Sequence, residues 1–307
     1  MITIVAGGTG SAKLVRGLAA LTNDLTVISN VGDNIWLHGL YVCPDIDTIL
    51  YALSGMLDNR RGWGIQNDTF NFLDQVGRHG EQTWFSLGDR DLATHVLRSQ
   101  RIKRGDTLSS ITDSMRKNLG ISARIIPATD DQVTTSILSN KTRMHLQEFW
   151  VKYKGRPKVD DVTFEGSESA LPNKDALLAI RRSKMVIISP ANPVSSIGPT
   201  LAVKGIRQAL SEVKERVTAV SPIVGQSAVS GPAVKYMKAL GLENSPYGVA
   251  KYFAGAVGNF VIARSDHGLG AKIQNLGMEV LETDIMMKNK QAEIRLARYL
   301  VSGLKEK

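Results

Sequence analysis

Three acids lie close together near the N-terminus: Asp33 in "SNVGDN", and Asp45 and Asp47 in "VCPDIDTILYAL". Two carboxylates one residue apart admit two chemistries. At a helix start they cap amides and complement the positive end of the helix dipole. On an extended segment, side chains at i and i+2 share a face, so both can converge on a cation or a reacting hydroxyl. Mg²⁺ is commonly held by one or two carboxylates together with substrate phosphate oxygens. The spacing alone leaves both readings open. Asp33, just past a neighbouring strand, adds weight to the metal.

A metal of that kind needs a phosphate. "GGTGSAK", from Gly7 to Lys13, stands between a strand-like run and a helical one. Glycines there let backbone N–H groups approach an anion, and the helix N-terminus supplies partial positive charge. Gly7, Gly8, Thr9 and Gly10 are therefore candidate phosphate-binding residues, with Lys13 as an added charge. The stretch is not a Walker A loop, because Ala12 stands where that motif needs glycine. It is not the dinucleotide fingerprint either: Lys13 replaces the third glycine, and Asn30 stands where a ribose-binding acid is expected. A tight turn with no ligand is the competing reading. Further along, "ISPANPVSSIGP" follows another strand and offers amide and hydroxyl donors, and "VSPIVG" after the next strand repeats the style.

Other reactive patterns are missing. There is no HExxH, no Ser/His/Asp order, and the single cysteine, Cys43, excludes an internal disulfide and a cysteine zinc cage. His95 and His145 read as structural, and Asp89 and Asp91 as helix caps. Phosphoryl transfer needs mainly positioning and charge neutralisation, which suits the residues available. The formal charge of +9 invites a nucleic-acid partner, but Lys and Arg are spread along the chain and only 6 % of residues are Phe, Trp or Tyr. No nucleic acid is expected, and no membrane: no apolar run reaches the length of a span. The N-terminus lacks the layout of a signal peptide, and one cysteine suits a cytoplasmic location.

Several elements must position these residues. "ITIVAGG", "DLTVISNVG", "KMVIISP", "RVTAVSP", "NFVIARSD" and "EVLETDI" read as strands separated by helical patterns, ending in a helix from about 288 to 304. "GPAVKYMKALG" reads as one of the intervening helices. This order predicts an α/β fold with a doubly wound, mostly parallel Rossmann-like sheet. One domain over 1–307 is expected, with 62–150 as a mainly helical insertion or cap over the sheet. Within it, "ARIIPATDD" and "MHLQEFWVKY" read as strands. Ligands of such sheets bind beyond the strand carboxyl ends, at the switch point, where the motifs above fall.

Taken in order, "GGTGSAK", "NVGDN", "HGLYVCPDIDTILY", "RGWGIQNDTF", "LGDRDLATH", "PATDDQVTT", "HLQEFWV", "PANPVSSIGP" and "AVSPIVG" resemble the 2-phospho-L-lactate transferase family of coenzyme F420 biosynthesis, from Ile2 to about Asp266. Ala191 departs from the serine more common in that family. The resemblance implies Mg²⁺-dependent transfer of a 2-phospholactyl or enolpyruvyl phosphate group. The donor would be guanosine diphosphate-linked, the acceptor the ribityl hydroxyl of the deazaflavin Fo, and GMP would be released. It implies Fo contacts at Asp47 and Ser86, metal ligands at Asp33 and Asp47, and catalytic roles for Asp47 and Asp45. The glycine loop, and Asn192, Ser195, Ser196 and Gly198 of the later loop, would hold the guanosine diphosphate part. A homodimer is implied as well. Alanine at Asp47 is then expected to collapse turnover and spare the fold. A non-catalytic nucleotide-sugar-binding regulator of the same superfamily is the alternative, and a nicotinamide oxidoreductase is disfavoured by the missing third glycine and ribose acid.

Overall fold

The protein is described by a computed structural model covering residues 1–228 and 233–303. Seven strands make the central sheet: β1 (Ile2–Ala6), β2 (Leu25–Ser29), β3 (Arg124–Pro127), β4 (Met185–Ile188), β5 (Val217–Val220), β6 (Asn259–Ala263) and β7 (Glu279–Thr283). Their order is β7-β6-β5-β4-β1-β2-β3, and every pairing is parallel. The inner strands are short β-branched runs, buried residue after residue. That is the pattern of a parallel sheet covered by helices on both faces.

Strand order reverses between β1 and β4, so the loops after these two strands splay apart and leave a crevice. α1 (Gly8–Ala19) leaves β1 and packs against α2 (Pro44–Ser54) and against the last helix, Lys290–Ser302. The expected helix around 233–241 is present as Ala233–Ala239, and Gly231 and Pro232 of that motif lie outside the described residues. No helix among the described residues is long and apolar enough to cross a membrane.

The middle of the chain is divided differently from the expectation. Arg124–Pro127 pairs with β2 and is the edge strand of the central sheet, so 62–150 is not one insertion. Its helices, α3 (Asn71–Arg78), α4 (Asp91–Lys103) and α5 (Leu108–Asn118), form with α2 the long crossover from β2 to β3. Thr134–Ser139, Thr142–His145 and Asp161–Glu165 make a separate antiparallel sheet. The strand expected through 144–153 stops at His145, where Glu148 accepts from the His145 amide and His145 Nδ1 accepts from the Gln147 amide. These local bonds turn the chain into a helical turn, Glu148–Lys152.

Candidate active site

A cleft of about 570 Å³ opens at the switch point. Asp33, Asp45, Asp47, Ser86, Asn192, Ser195 and Ser196 line it, as do Gly8, Thr9 and Gly10. Most of the residues singled out from the sequence are therefore brought together, but Asp45 and Asp47 do not converge on one spot.

Pro44 is already the first residue of α2, so Asp45 and Asp47 do not lie on an extended segment. Side chains two apart on a helix diverge, and these do. Neither is bonded to an amide of its own helix among the described residues, for the partners of both lie on other elements. Asp45 turns toward α1: its Oδ1 accepts from the Gly8 amide at 2.7 Å and its Oδ2 from Asn30 Nδ2 at 2.8 Å. The same Asn30 nitrogen donates to Asp33 Oδ1 at 2.9 Å, while Asn30 Oδ1 accepts from the Gly32 amide. Asn30, which replaces the ribose acid of dinucleotide folds, is thus the bracket that joins the two carboxylates. Burial pushes Asp45 up to about 6, against the Asn30 and Gly8 hydrogen bonds. Burial and then the charge of Asp45 push Asp33 well above the usual carboxylate range.

Asp47 turns the other way. Both oxygens accept from the guanidinium of Arg98, with Nη1 to Oδ2 at 3.0 Å, and Arg98 is fully buried. Behind the pair, His95 stands 3.7 Å from Asp47 and 3.3 Å from Asp91, and the Tyr51 hydroxyl donates to Asp91 Oδ1 at 2.5 Å. Burial would raise Asp91, but His95 and Tyr51 hold its carboxyl below the usual range. His95 and Asp91 are thus part of the site wall, not the lone structural histidine and cap expected. Asp89 does cap a helix start, but that of α3: it accepts from the Asn71 and Phe72 amides. His145 is structural as expected. Its Nε2 faces the Asn34 carbonyl at 3.1 Å, and burial holds the ring below the ordinary imidazole range.

The glycine loop and the later loop meet back to back. A Cβ on Gly7 would lie 2.2 Å from the Ser196 carbonyl oxygen, and one on Gly10 would lie 2.6 Å from that of Pro190. Gly8 has a φ of +71°. Much of the glycine requirement is therefore close approach between two loops, whatever ligand binds. Gly7→Ala is expected to lose about 1–3 kcal/mol of stability by overpacking, read from urea unfolding. The amide of Gly7 donates to Ser11, and that of Gly8, the first residue of α1, donates to Asp45. The first-turn amides of Thr9 and Gly10 on the cleft wall are the ones left for an anion. Lys13 is not among the cleft residues: its Nζ donates to the Met287 carbonyl at 3.2 Å on the outer side of α1. Gly198 is also behind the cleft, against Phe164 and Tyr252. Asn192 Oδ1 caps its own loop by accepting from the Val194 and Ser195 amides.

The crossover and the small sheet supply the outer walls. Trp63, Phe85 and Ser86 come from one side, Trp150 and Lys154 from the other. Lys154 is the only lysine or arginine among the cleft residues described. Arg98, Tyr51, Trp63, Trp150 and Lys154 were not singled out from the sequence. Tyr51, Trp63 and Trp150 fall inside the quoted stretches "HGLYVCPDIDTILY", "RGWGIQNDTF" and "HLQEFWV", which signalled the family but not these side chains, and Arg98 and Lys154 fall in none.

No three His, Cys, Asp or Glu among the described residues converge as a ready cation cage. A site of one or two carboxylates completed by ligand oxygens is still compatible with the arrangement. Asp33 and Asp45 share one amide donor and pair with no lysine or arginine among the described residues, so a divalent cation would find two carboxylates there without a competing counter-ion. Asp47 is already matched by Arg98.

Fold and cleft define a doubly wound α/β protein with an open cleft at the switch point between β1 and β4. Residues 2–300 match the 2-phospho-L-lactate transferase CofD family, and the chain belongs to that family. The 2-phospho-L-lactate transferase of Methanocaldococcus jannaschii is 40 % identical over 307 residues, covering 98 % of this chain and 97 % of its own. The phosphoenolpyruvate transferase of Streptomyces coelicolor is 37 % identical over 305 residues, covering 97 % and 96 %. Protein BH3568 of Bacillus halodurans shares the fold, with a TM-score of 0.65 at 17 % identity over 98 % of each chain. The protein is accordingly a transferase.

Proposed function

We propose that this transferase moves a 2-phospholactyl or enolpyruvyl phosphate group from a guanosine diphosphate-linked donor to the ribityl hydroxyl of Fo, releasing GMP. The observation that carries this reading is the make-up of the switch-point cleft. Its inner end has the switch-point loops, which suit a nucleotide diphosphate. Its outer walls are aromatic, Trp63, Phe85 and Trp150, which suit a flat deazaflavin. The relatives above are named for transfer of both groups, so the donor's carbon skeleton is left as either.

In the reaction, the Fo hydroxyl oxygen bonds to the phosphorus bearing the lactyl or enolpyruvyl group. The bond from that phosphorus to the bridging oxygen breaks, and its electron pair leaves with GMP. Asp33 and Asp45 would hold Mg²⁺, which when bound neutralises charge on the donor's phosphate oxygens. Asp45 also ties the glycine loop to the carboxylate pair through the Gly8 amide. Asp47, oriented by Arg98, accepts a hydrogen bond from the ribityl hydroxyl, with Ser86 beside it on the cleft wall. The hydroxyl proton leaves late to a cleft carboxylate, since a loose transition state makes little demand on a base. The amides of Thr9 and Gly10 and the Asn192–Ser196 loop hold the diphosphate. Lys154, on the cleft wall, replaces Lys13 as the cation facing the ligand. A homodimer is part of the same proposal.

GMP release from a guanylylated 2-phospholactate or phosphoenolpyruvate, with Mg²⁺, should depend on Fo and yield a new deazaflavin product. GMP release that ignores Fo, or none from either donor, would overturn the reading.

A further inference from the structure

Tyr236 belongs to the short helix Ala233–Ala239, which packs on the Pro193–Ile197 turn of the later loop. Its side chain is 1 % exposed, yet it reaches the cleft that Asp33, Asn192, Ser195 and Ser196 also line. Its ring packs against Phe149, with centroids 5.7 Å apart. A phenylalanine would pack equally well there. The hydroxyl has no hydrogen-bond partner among the described residues, and neither has Asn192 Nδ2 on the same cleft. Buried polar groups are ordinarily paired, so two stranded donors on one cleft call for an acceptor from outside the chain. The acceptor must be rich in oxygen, since both groups have donors to spare: Asn192 Oδ1 is already committed to its own loop. Burial and then the charge of Asp33 raise the phenol above its ordinary range, so Tyr236 keeps its proton and remains a donor.

We propose that the Tyr236 hydroxyl and Asn192 Nδ2 together donate to the diphosphate oxygens of the guanosine-linked donor, opposite the Asp33–Asp45 pair. The assignment rests on the reaction proposed above and adds a catalytic residue to it. When the Fo oxygen bonds to phosphorus, the electron pair of the broken bridge moves onto GMP. A donor fixed beforehand at that oxygen stabilises the charge as it grows, without reorganising at the moment of reaction.

Tyr236→Phe removes one oxygen and keeps the ring against Phe149. In the Fo-dependent GMP-release assay, kcat is expected to fall about a hundredfold, the scale of one lost oxyanion donor, with KM for Fo changed by no more than about twofold. The variant should melt no lower than the parent, because a stranded buried hydroxyl has been taken away. A tyrosine that served packing alone would leave kcat where it was, and a kcat within about threefold of the parent overturns the proposal. If the parent protein releases no GMP at all, the proposed reaction falls, and titration with GDP and Mg²⁺ decides on Tyr236 separately. Binding to the variant weaker by about tenfold supports the contact, the scale of a lost hydrogen bond to a charged group. Equal binding removes it.

Discussion

Replacing Asp47 with asparagine is expected to destabilise the protein by about 3–5 kcal/mol, the usual result of removing one partner from a buried ion pair. The reason is Arg98. Its side chain is fully buried, Nη1 and Nη2 are both committed to Asp47, and Nε has no partner among the described residues. A guanidinium cannot shed its charge within the accessible pH range, so without Asp47 the protein must bury an uncompensated cation. The remaining acceptors, the Tyr41 carbonyl at 3.3 Å and His95 Nδ1 at 3.4 Å, are too distant to replace a carboxylate. The buried pair thus leads to the opposite expectation from the sequence, by which alanine at Asp47 is expected to spare the fold. Urea unfolding at neutral pH measures the loss, and the double variant Asp47→Leu/Arg98→Met should regain most of it, because an apolar pair of similar bulk needs no desolvated charge. A loss below about 1 kcal/mol in Asp47→Asn would mean that water reaches Arg98. Activity must be assayed where the variant is still folded; a hundredfold or greater fall in kcat there would separate the proposed acceptor role of Asp47 from its support of Arg98.

The inner strands were legible because β1, β2, β4 and β5 are short β-branched runs followed within two residues by glycine, asparagine or proline, and their continuous apolar character matches burial on both faces. Their order made the switch point legible too, and with it the cleft. What the sequence hid was direction. Asp45 and Asp47 are one residue apart, but helix geometry separates them, and their partners lie far along the chain: Gly8 and Asn30 for one, Arg98 for the other. Spacing along the chain carries no information about such contacts. Lys13 fails for the same reason, since a lysine after a glycine loop points wherever the helix turn sends it. Tyr236 was invisible because a tyrosine at helical spacing reads as core, and only the missing partner of its hydroxyl distinguishes it.

In the absence of divalent cations, Asp45 is expected to make the protein less stable as pH rises from 4 to 7. Its folded pKa of about 6 exceeds the unfolded value of 3.8, so between these values the native state binds more protons than the unfolded state. Stability therefore falls with pH across that window, by about 3 kcal/mol when the two-unit shift is complete. Asp33 is shifted in the same direction and steepens the decline. Below the unfolded pKa both carboxyls are neutral in either state, and the penalty vanishes. Asp45→Asn has no carboxyl to ionise and should show a flatter profile, so the difference between the two proteins isolates this group. Mg²⁺ reverses the logic, because a cation binds the deprotonated pair and stabilises the native state by mass action. Adding it should raise the melting temperature of the parent at pH 7.5 more than at pH 5, where protons compete for the same oxygens, and should do little for Asp45→Asn. An equal rise in both proteins would place the cation away from Asp45. A parent profile as flat as that of the variant would mean that Asp45 ionises as freely in the fold as in the unfolded chain.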